Sequence, residues 1–250
     1  MSAPFLFQTD MMCEAGGRTV NEDYCNFLLR KEAVCWVLAD GLGGHGGGEV
    51  ASQIASDTVL SLFAEASEFG ADPLRAYMDK AAAGLAAHQA SDPRLARMAT
   101  TLVVLLSDYR SALWAHIGDS RLYHFRDGAV IHQTKDHSVA QALCDRGEIA
   151  PGEIRHHADR SSLRRSLGKG EPAVLPLPVA LRSGDAFLLA SDGFWEYVTE
   201  TEMEVELSKA AGPAGWLQGM RSRLKRKASG DFDNYSAVAV MAMAGEEGQS

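Results

Sequence analysis

A chain of 250 residues with 46% hydrophobic and 23% charged residues is long enough to bury a sizeable core without disulfide or metal staples. Its formal charge of −9, from 24 Lys plus Arg against 33 Asp plus Glu, argues against nonspecific nucleic-acid binding, which needs a basic surface. No run reaches the ~18 apolar residues of a membrane span, Met1–Phe7 lacks the basic start of a signal peptide, and Cys13, Cys25, Cys35 and Cys144 form no C-x-x-C pair, so free thiols and a cytoplasmic location are expected.

Apolar, β-rich runs predict the first strands at Tyr24–Leu29 and Val34–Ala39. Helical periodicity follows over Glu49–Ala64, where Val50, Ile54, Val59, Leu62 and Phe63 recur on one side, and over the Ala-rich Pro73–Gln89. Three more strands are expected at Thr101–Ser107, Ala112–Ile117 and Arg121–Phe125, the last followed by a hairpin turn at Asp127-Gly128. His137–Gly170 is polar, basic and His-rich, and reads as a surface excursion with at most short helices. Strands at Val174–Ala180 and Ala186–Ala190, helices at Glu200–Ala211 and Pro213–Lys227, and a strand at Ser236–Met243 complete the reading. Strands cluster with strands and helices with helices, which predicts an α+β fold with mainly antiparallel sheet. No repeat or linker divides residues 1–250, so one domain is expected.

In Ala39-Asp40-Gly41-Leu42-Gly43-Gly44-His45-Gly46, between a strand and a helix, Gly41, Gly43 and Gly46 fit the dinucleotide fingerprint G-x-G-x-x-G. Three features count against that reading. Asp40 would face a pyrophosphate with like charge. The region ~20 residues on, where an acidic residue should end a second strand, is helical. And Asp-Gly recurs at another strand end, in Ser191-Asp192-Gly193. Gly168-Lys169-Gly170 lacks the Ser/Thr of a P-loop.

Asp23, Asp40, Asp119, Asp192 and Asp233 all sit at strand ends or in tight turns. Alone, each is more often a turn residue than a ligand. Together they matter, because clustered carboxylates raise one another's pKa unless a cation sits among them. Oxygen-only donors, with no Cys/His spacing suited to zinc, point to Mg²⁺ or Mn²⁺. Two such ions ~3.5–4 Å apart can share a hydroxide and aim it at phosphorus.

Arg18-Thr19-Val20-Asn21-Glu22-Asp23, Ala39-Asp40-Gly41-Leu42-Gly43-Gly44-His45, Gly118-Asp119-Ser120-Arg121, Ser191-Asp192-Gly193-Phe194-Trp195 and Asp233-Asn234, in this order, resemble the metal-dependent protein phosphatase 2C family. The resemblance spans Arg18 to Met243. It implies a four-layer α-β-β-α sandwich with two central, mainly antiparallel sheets and helices on both outer faces. It also implies a bacterial serine/threonine protein phosphatase, similar to those associated with type VI secretion, that reverses a serine/threonine kinase. Asp40 would bridge two Mn²⁺ or Mg²⁺ ions, with the Gly41 carbonyl also ligating. Asp192 and Asp233 would complete the ligand set, and Asp23 and Glu22 would act through metal-bound waters. Arg18 would bind the substrate phosphate. Asp119, with Asp192, would hold a third, weaker ion, and Asn234 would orient Asp233 or a water.

The implied reaction is direct attack of a metal-bridging hydroxide on phosphoserine or phosphothreonine in proteins, with no phosphoenzyme. In keeping with this, only four residues separate Cys13 from Arg18 and Cys25 from Arg30, where a cysteine phosphatase needs five. The expected partners are phosphoproteins and a cognate kinase, with no nucleic acid and no membrane, and the chain is expected to be a monomer. The alternative is a non-catalytic phosphatase-like binding module, disfavoured because Arg18, Asp40, Asp192 and Asp233 are all present. The chain departs from the family at three places. Leu42 stands where many eukaryotic members carry a histidine, leaving His45 as a candidate proton donor. Glu196 replaces a shorter acid that some members use for the third metal. Met98-Ala99-Thr100-Thr101 replaces Met-Gly-Thr-Thr. The segment 137–170 corresponds to a flap, and its Arg155, His156, His157, Arg160, Arg164 and Arg165 suggest a substrate-docking surface.

Overall fold

The structure, a computed structural model, describes residues 5–43, 47–174 and 177–245. Its first half runs β1 (Phe5–Glu14), β2 (Asp23–Leu29), β3 (Val34–Leu42), α1 (Gly47–Ala66), α2 (Ala71–Ser91), β4 (Ala99–Thr100), β5 (Leu102–Ser107), β6 (Ser111–Ile117), β7 (Arg121–Arg126) and β8 (Ala129–Gln133). The second half runs α3 (Val139–Asp145), β9 (Ala173–Val174), β10 (Val179–Ala180), β11 (Ala186–Ala190), α4 (Asp192–Trp195), α5 (Glu200–Lys209), α6 (Pro213–Lys227) and β12 (Tyr235–Ala244).

The strands form two sheets. One has the order β1-β12-β11-β7-β8; the other has the order β10-β6-β5-β3-β2, with β4 added to β3 and β9 to β6. Every ladder among the described residues is antiparallel. That removes the parallel β-α-β unit a dinucleotide site would require.

Strand alternation builds three hydrophobic layers from these two sheets. On β3, Val34, Trp36 and Leu38 point inward and meet Phe187 and Leu189 of β11 and Val238 and Val240 of β12. Cys35, Val37 and Ala39 point the other way, onto α1 and α2, where the small Ala51 and Ala55 let the helix approach beside Val59 and Phe63. The outer face of the β1-β12-β11-β7-β8 sheet, with Phe125, Leu188 and Ala190, packs on Trp216, Leu217, Met220 and Leu224 of α6. The result is the expected four-layer α-β-β-α sandwich. Strands buried on both faces read as unbroken apolar runs, which is why most were legible.

Three segments differ from the sequence reading. β1 pairs with β12 from Phe5↔Ala244 to Glu14↔Tyr235, yet its half-exposed residues gave no strand signal. The run Val174–Ala180 begins in β9 and ends in β10, both laid on β6, while residues 175–176 lie outside the described residues; Pro178 within it has no N–H to donate. β8 completes the hairpin that Asp127-Gly128 announced. Asp127 (φ 52°) and Gly128 (φ 79°) are both left-handed, as a type I′ turn requires.

The excursion after β8 holds α3, capped by Ser138, whose side chain accepts from Gln141 N–H (3.2 Å), and a 3₁₀ turn at Pro151–His156. It is tied down at its start. His137 N–H donates to Gly118 O (2.9 Å), and Gly118 N–H donates to His137 Nδ1 (3.1 Å).

Candidate metal centre

The two sheets end at the same place, and the ends carry the acids. Asp23 opens β2 directly opposite Asp40 of β3. Asp192 follows β11 and Asp233 precedes β12, its neighbour in the other sheet. Asp119 lies in the turn from β6 to β7, where the chain crosses between sheets. Like charges directly opposite on paired strands are destabilising, so Asp23 facing Asp40 is a local rule broken at a candidate site.

A cavity of about 740 Å³ collects these residues. Its lining includes Arg18, Glu22, Asp40, Gly41, Asp119, Asp192, Asp231, Asp233 and Asn234. Asp23 lies behind this lining rather than in it. Its Oδ2 accepts from Ser191 Oγ (2.9 Å), and its Oδ1 is buried without a partner. Asp231 is an acid the sequence analysis did not single out. The dipeptide lead Asp231-Phe232 matches no motif, so only tertiary placement reveals it.

Burial in the cavity raises Glu22, Asp40, Asp119 and Asp192. Burial, and then the neighbouring Asp23, Asp192, Asp119 and Asp233, push Asp40 well above the ordinary carboxylate range. Burial and Asp192 do the same to Asp119. Burial lifts Asp23 to about 8, and burial followed by Glu196 and Asp233 lifts Asp192 to about 7. Glu22 is also raised, first by burial.

The main chain around Asp40 is held by hydroxyls. Its N–H donates to Thr101 Oγ1 (2.9 Å), and its carbonyl accepts from Thr100 Oγ1 (2.9 Å) and Thr101 N–H (2.9 Å). Thr101 Oγ1 in turn meets Ser120 Oγ at 2.8 Å, beside Asp119. This is the work of the Met98–Thr101 stretch. Next to it, a Cβ on Gly41 would lie 2.1 Å from Gly48 O and 2.6 Å from Glu22 O, so only glycine fits between the two chains.

Asn234 acts as a staple. Its Oδ1 accepts from Glu22 N–H (2.8 Å), and its Nδ2 donates to Ala15 O (2.8 Å) and Val20 O (2.9 Å). Asp233 is steadied by the Asn234 main-chain N–H (2.9 Å) instead of by the side chain. Arg18, half exposed, reaches Asp233 Oδ2 at 3.4 Å.

Other expectations resolve differently. His45 lies outside the described residues. Glu196 does not line the cavity; its carboxylate is held by Arg160. Arg155 is likewise turned inward, onto Glu200 (2.8 Å to each oxygen) and within 5.5 Å of the Trp195 ring. Two of the flap's five arginines, Arg155 and Arg160, are thus tied to the helices after Asp192, while Arg164 and Arg165 remain exposed. Ser161 brings the flap to the cavity wall.

Among the described residues, no three His, Cys, Asp or Glu side chains form a ready-made cage for an ion. The donor set still fits hard cations. It is all oxygen, burial and then neighbouring acids raise Asp40, Asp119 and Asp192, and one buried carboxylate oxygen is unpartnered. A roomy, acid-lined cavity suits cations that keep several waters.

An α-β-β-α sandwich with an acid-lined cavity where its two sheets end defines a class of metal-dependent phosphatases. The chain belongs to the protein phosphatase 2C family, whose model matches residues 15–227. It is 36% identical over 219 residues to the serine/threonine protein phosphatase PstP of Mycobacterium tuberculosis, covering 85% of this chain but only 41% of that protein. Protein phosphatase PhpP of Streptococcus pneumoniae is 34% identical over 198 residues, 74% of this chain and 78% of that one. The solved catalytic domain of PstP, in complex with two manganese ions, superposes with a TM-score of 0.80 at 32% identity, covering 96% of this chain and 99% of that one. PppA, described as a key regulatory component of T6SS in Pseudomonas aeruginosa, gives a TM-score of 0.73 at 28% identity, covering 97% and 100%.

Proposed function

We propose that this chain is a metal-dependent serine/threonine protein phosphatase that hydrolyses phosphoserine and phosphothreonine in proteins. The observation that carries this reading is the meeting of Asp40, Asp119, Asp192, Asp233 and Arg18 in one cavity, supplied by the ends of both sheets. We read residues 1–250 as one catalytic domain with a flap over 137–170.

Asp40, Asp192, Asp233 and the Gly41 carbonyl would hold two Mn²⁺ or Mg²⁺ ions, with Asp23 and Glu22 behind them. Asp119 and Asp192 would hold a third, weaker one. Bound cations would neutralise phosphoryl charge and lower the pKa of water in the cavity. Arg18 offers its planar fork to two phosphate oxygens, a match Lys cannot make. The Thr100, Thr101 and Ser120 hydroxyls fix Asp40 before substrate arrives, so little reorganisation is left for the reaction. The Ser191 hydroxyl does the same for Asp23. No cysteine lines the cavity among the described residues, which supports water as the nucleophile.

The substrates are phosphoproteins, reset after a serine/threonine kinase has acted. A cytoplasmic, monomeric enzyme is the form we propose, and the likeness to PppA supports a role beside type VI secretion. No helix among the described residues is long and apolar enough to cross a membrane. The deciding assay is Mn²⁺-dependent hydrolysis of a phosphothreonine peptide by wild type and Asp192→Ala. Activity that needs metal and disappears in the variant is expected. Activity without metal, or unchanged in Asp192→Ala, refutes the reading. Binding of the peptide without turnover by wild type favours the binding-module alternative.

A further inference from the structure

Beside the acid-lined cavity lie two thiols that the proposed reaction does not use. Cys13 is on β1 and Cys25 on β2, so they belong to the edge strands of different sheets. The Cys13 thiol donates to the Asp23 carbonyl (3.4 Å) and accepts from Asn21 Nδ2 (3.2 Å). The Cys25 thiol reaches the carbonyl of Met12 (3.7 Å), the residue before Cys13. Each sulfur therefore rests on main chain close to the other cysteine. Cys13 is exposed and Cys25 half-buried, so a small oxidant can reach the pair, whereas Cys35 is buried.

The position of the pair gives it leverage. The segment it brackets carries Arg18, Glu22 and Asp23. Asn21, which donates to Cys13, also accepts from Asp23 N–H through Oδ1 (3.2 Å). The Asp23 main chain is thus held by the Cys13 thiol at its carbonyl and by that thiol's own partner at its N–H.

We propose that Cys13 and Cys25 are a peroxide-sensitive dithiol that closes into a disulfide and, through Asp23, weakens divalent-cation binding. In the first step the Cys13 sulfur attacks hydrogen peroxide, the O–O bond breaks, and a sulfenic acid and one water result. The Cys25 sulfur then displaces the sulfenic hydroxyl, which leaves as a second water as the S–S bond forms. Two thiols lose two hydrogens and two electrons, and the peroxide is reduced to two waters. Closing the bond draws Cys13 off the Asp23 carbonyl and frees the strand end that faces Asp40. The second half of the proposal rests on the metal-dependent reading above; the first half does not.

The test uses the full chain treated with hydrogen peroxide and digested with trypsin without reduction. Cleavage at Arg18 and Arg30 places the cysteines on Met1–Arg18 and Thr19–Arg30, so the disulfide appears in the mass spectrum as one linked species, lost on dithiothreitol. Calorimetric titration with Mn²⁺ should show binding about fivefold weaker in the oxidised chain, the scale of one lost hydrogen bond, restored by dithiothreitol. Cys25→Ser should keep its Mn²⁺ affinity through peroxide treatment, and Cys13→Ser should do the same. Absence of the linked species, or equal Mn²⁺ affinity in both redox forms, overturns the proposal. No Mn²⁺ binding by the reduced chain overturns the proposed function instead, and the linked species then decides on the dithiol alone.

Discussion

Replacing Asp23 by Asn should stabilise the metal-free protein, and the gain should grow with pH. Burial lifts the Asp23 carboxyl to about 8, well above its ordinary value, and the Ser191 hydroxyl brings back only part of that. A raised carboxyl keeps its proton in the folded chain while the unfolded chain, at ~3.9, has lost it. Its contribution is full below the unfolded pKa and is lost as pH rises through the folded one. Between pH 6 and 8 the loss assigned to Asp23 is about 2 kcal/mol, worked from about 1.4 kcal/mol per pH unit while the group is protonated only in the folded state. Asn mimics the neutral carboxyl, so it escapes that loss. At about 2 °C per kcal/mol for a chain of 250 residues, the melting-temperature advantage of Asp23→Asn should widen by roughly 4–5 °C from pH 6 to pH 8. Calorimetry in EDTA measures it, and comparison with wild type at each pH cancels the other titrating groups. That cancellation matters, because burial lowers His116, His132 and His137, which act with the opposite sign in the same window. An advantage of equal size at both pH values would refute the reasoning. With saturating Mn²⁺ the order should reverse.

Three further outcomes are expected. Arg18→Ala should lower kcat/KM on a phosphothreonine peptide by about 10- to 100-fold, the scale of charge-assisted hydrogen bonds, with little change in melting temperature because its side chain is 47% exposed; the converse pattern would sink the assignment. Arg164→Glu with Arg165→Glu should raise KM for a phosphoprotein several-fold and leave an aryl phosphate untouched, and equal losses on both would remove the flap from substrate docking. Asp136→Ala strands the buried Arg121, whose Nε and Nη2 now meet the carboxylate at 2.7 and 2.8 Å. Urea unfolding should show a cost of about 3–5 kcal/mol, and a cost below about 1 kcal/mol would mean that Tyr123, Glu200 and Trp195, the last stacked on the guanidinium at 3.4 Å, suffice to hold it.

The fold was legible where strands are buried on both faces. Val34–Ala39 and Ala186–Ala190 read as apolar runs because each feeds two layers of core at once. β1 escaped notice because it is an edge strand with every residue at least partly exposed, so neither period nor hydrophobicity marked it. The aspartates were legible because they sit where strands begin or end and glycines follow two of them. Their supports were not. Thr100, Thr101 and Ser120 act through main-chain and hydroxyl contacts set by strand register, and nothing local in their types distinguishes them. The same holds for Glu196 and Glu200, which pair with Arg160 and Arg155 across 36 and 45 residues. A basic flap read from composition alone therefore overstated its free charge.

Asp23 and Asp40 ride on one sheet, and Asp192 and Asp233 on the other. Ions held between them would rivet the two halves of the sandwich at this end. Their affinity then measures the spacing of the sheets, which is set by the inner layer of Trp36, Leu38, Phe187 and Val238. A methylene removed from that layer, with no contact to any ligand, would be felt as a change in the metal's grip. The hydrophobic interior is in that sense the calibration of the cavity, and drift in one becomes drift in the other.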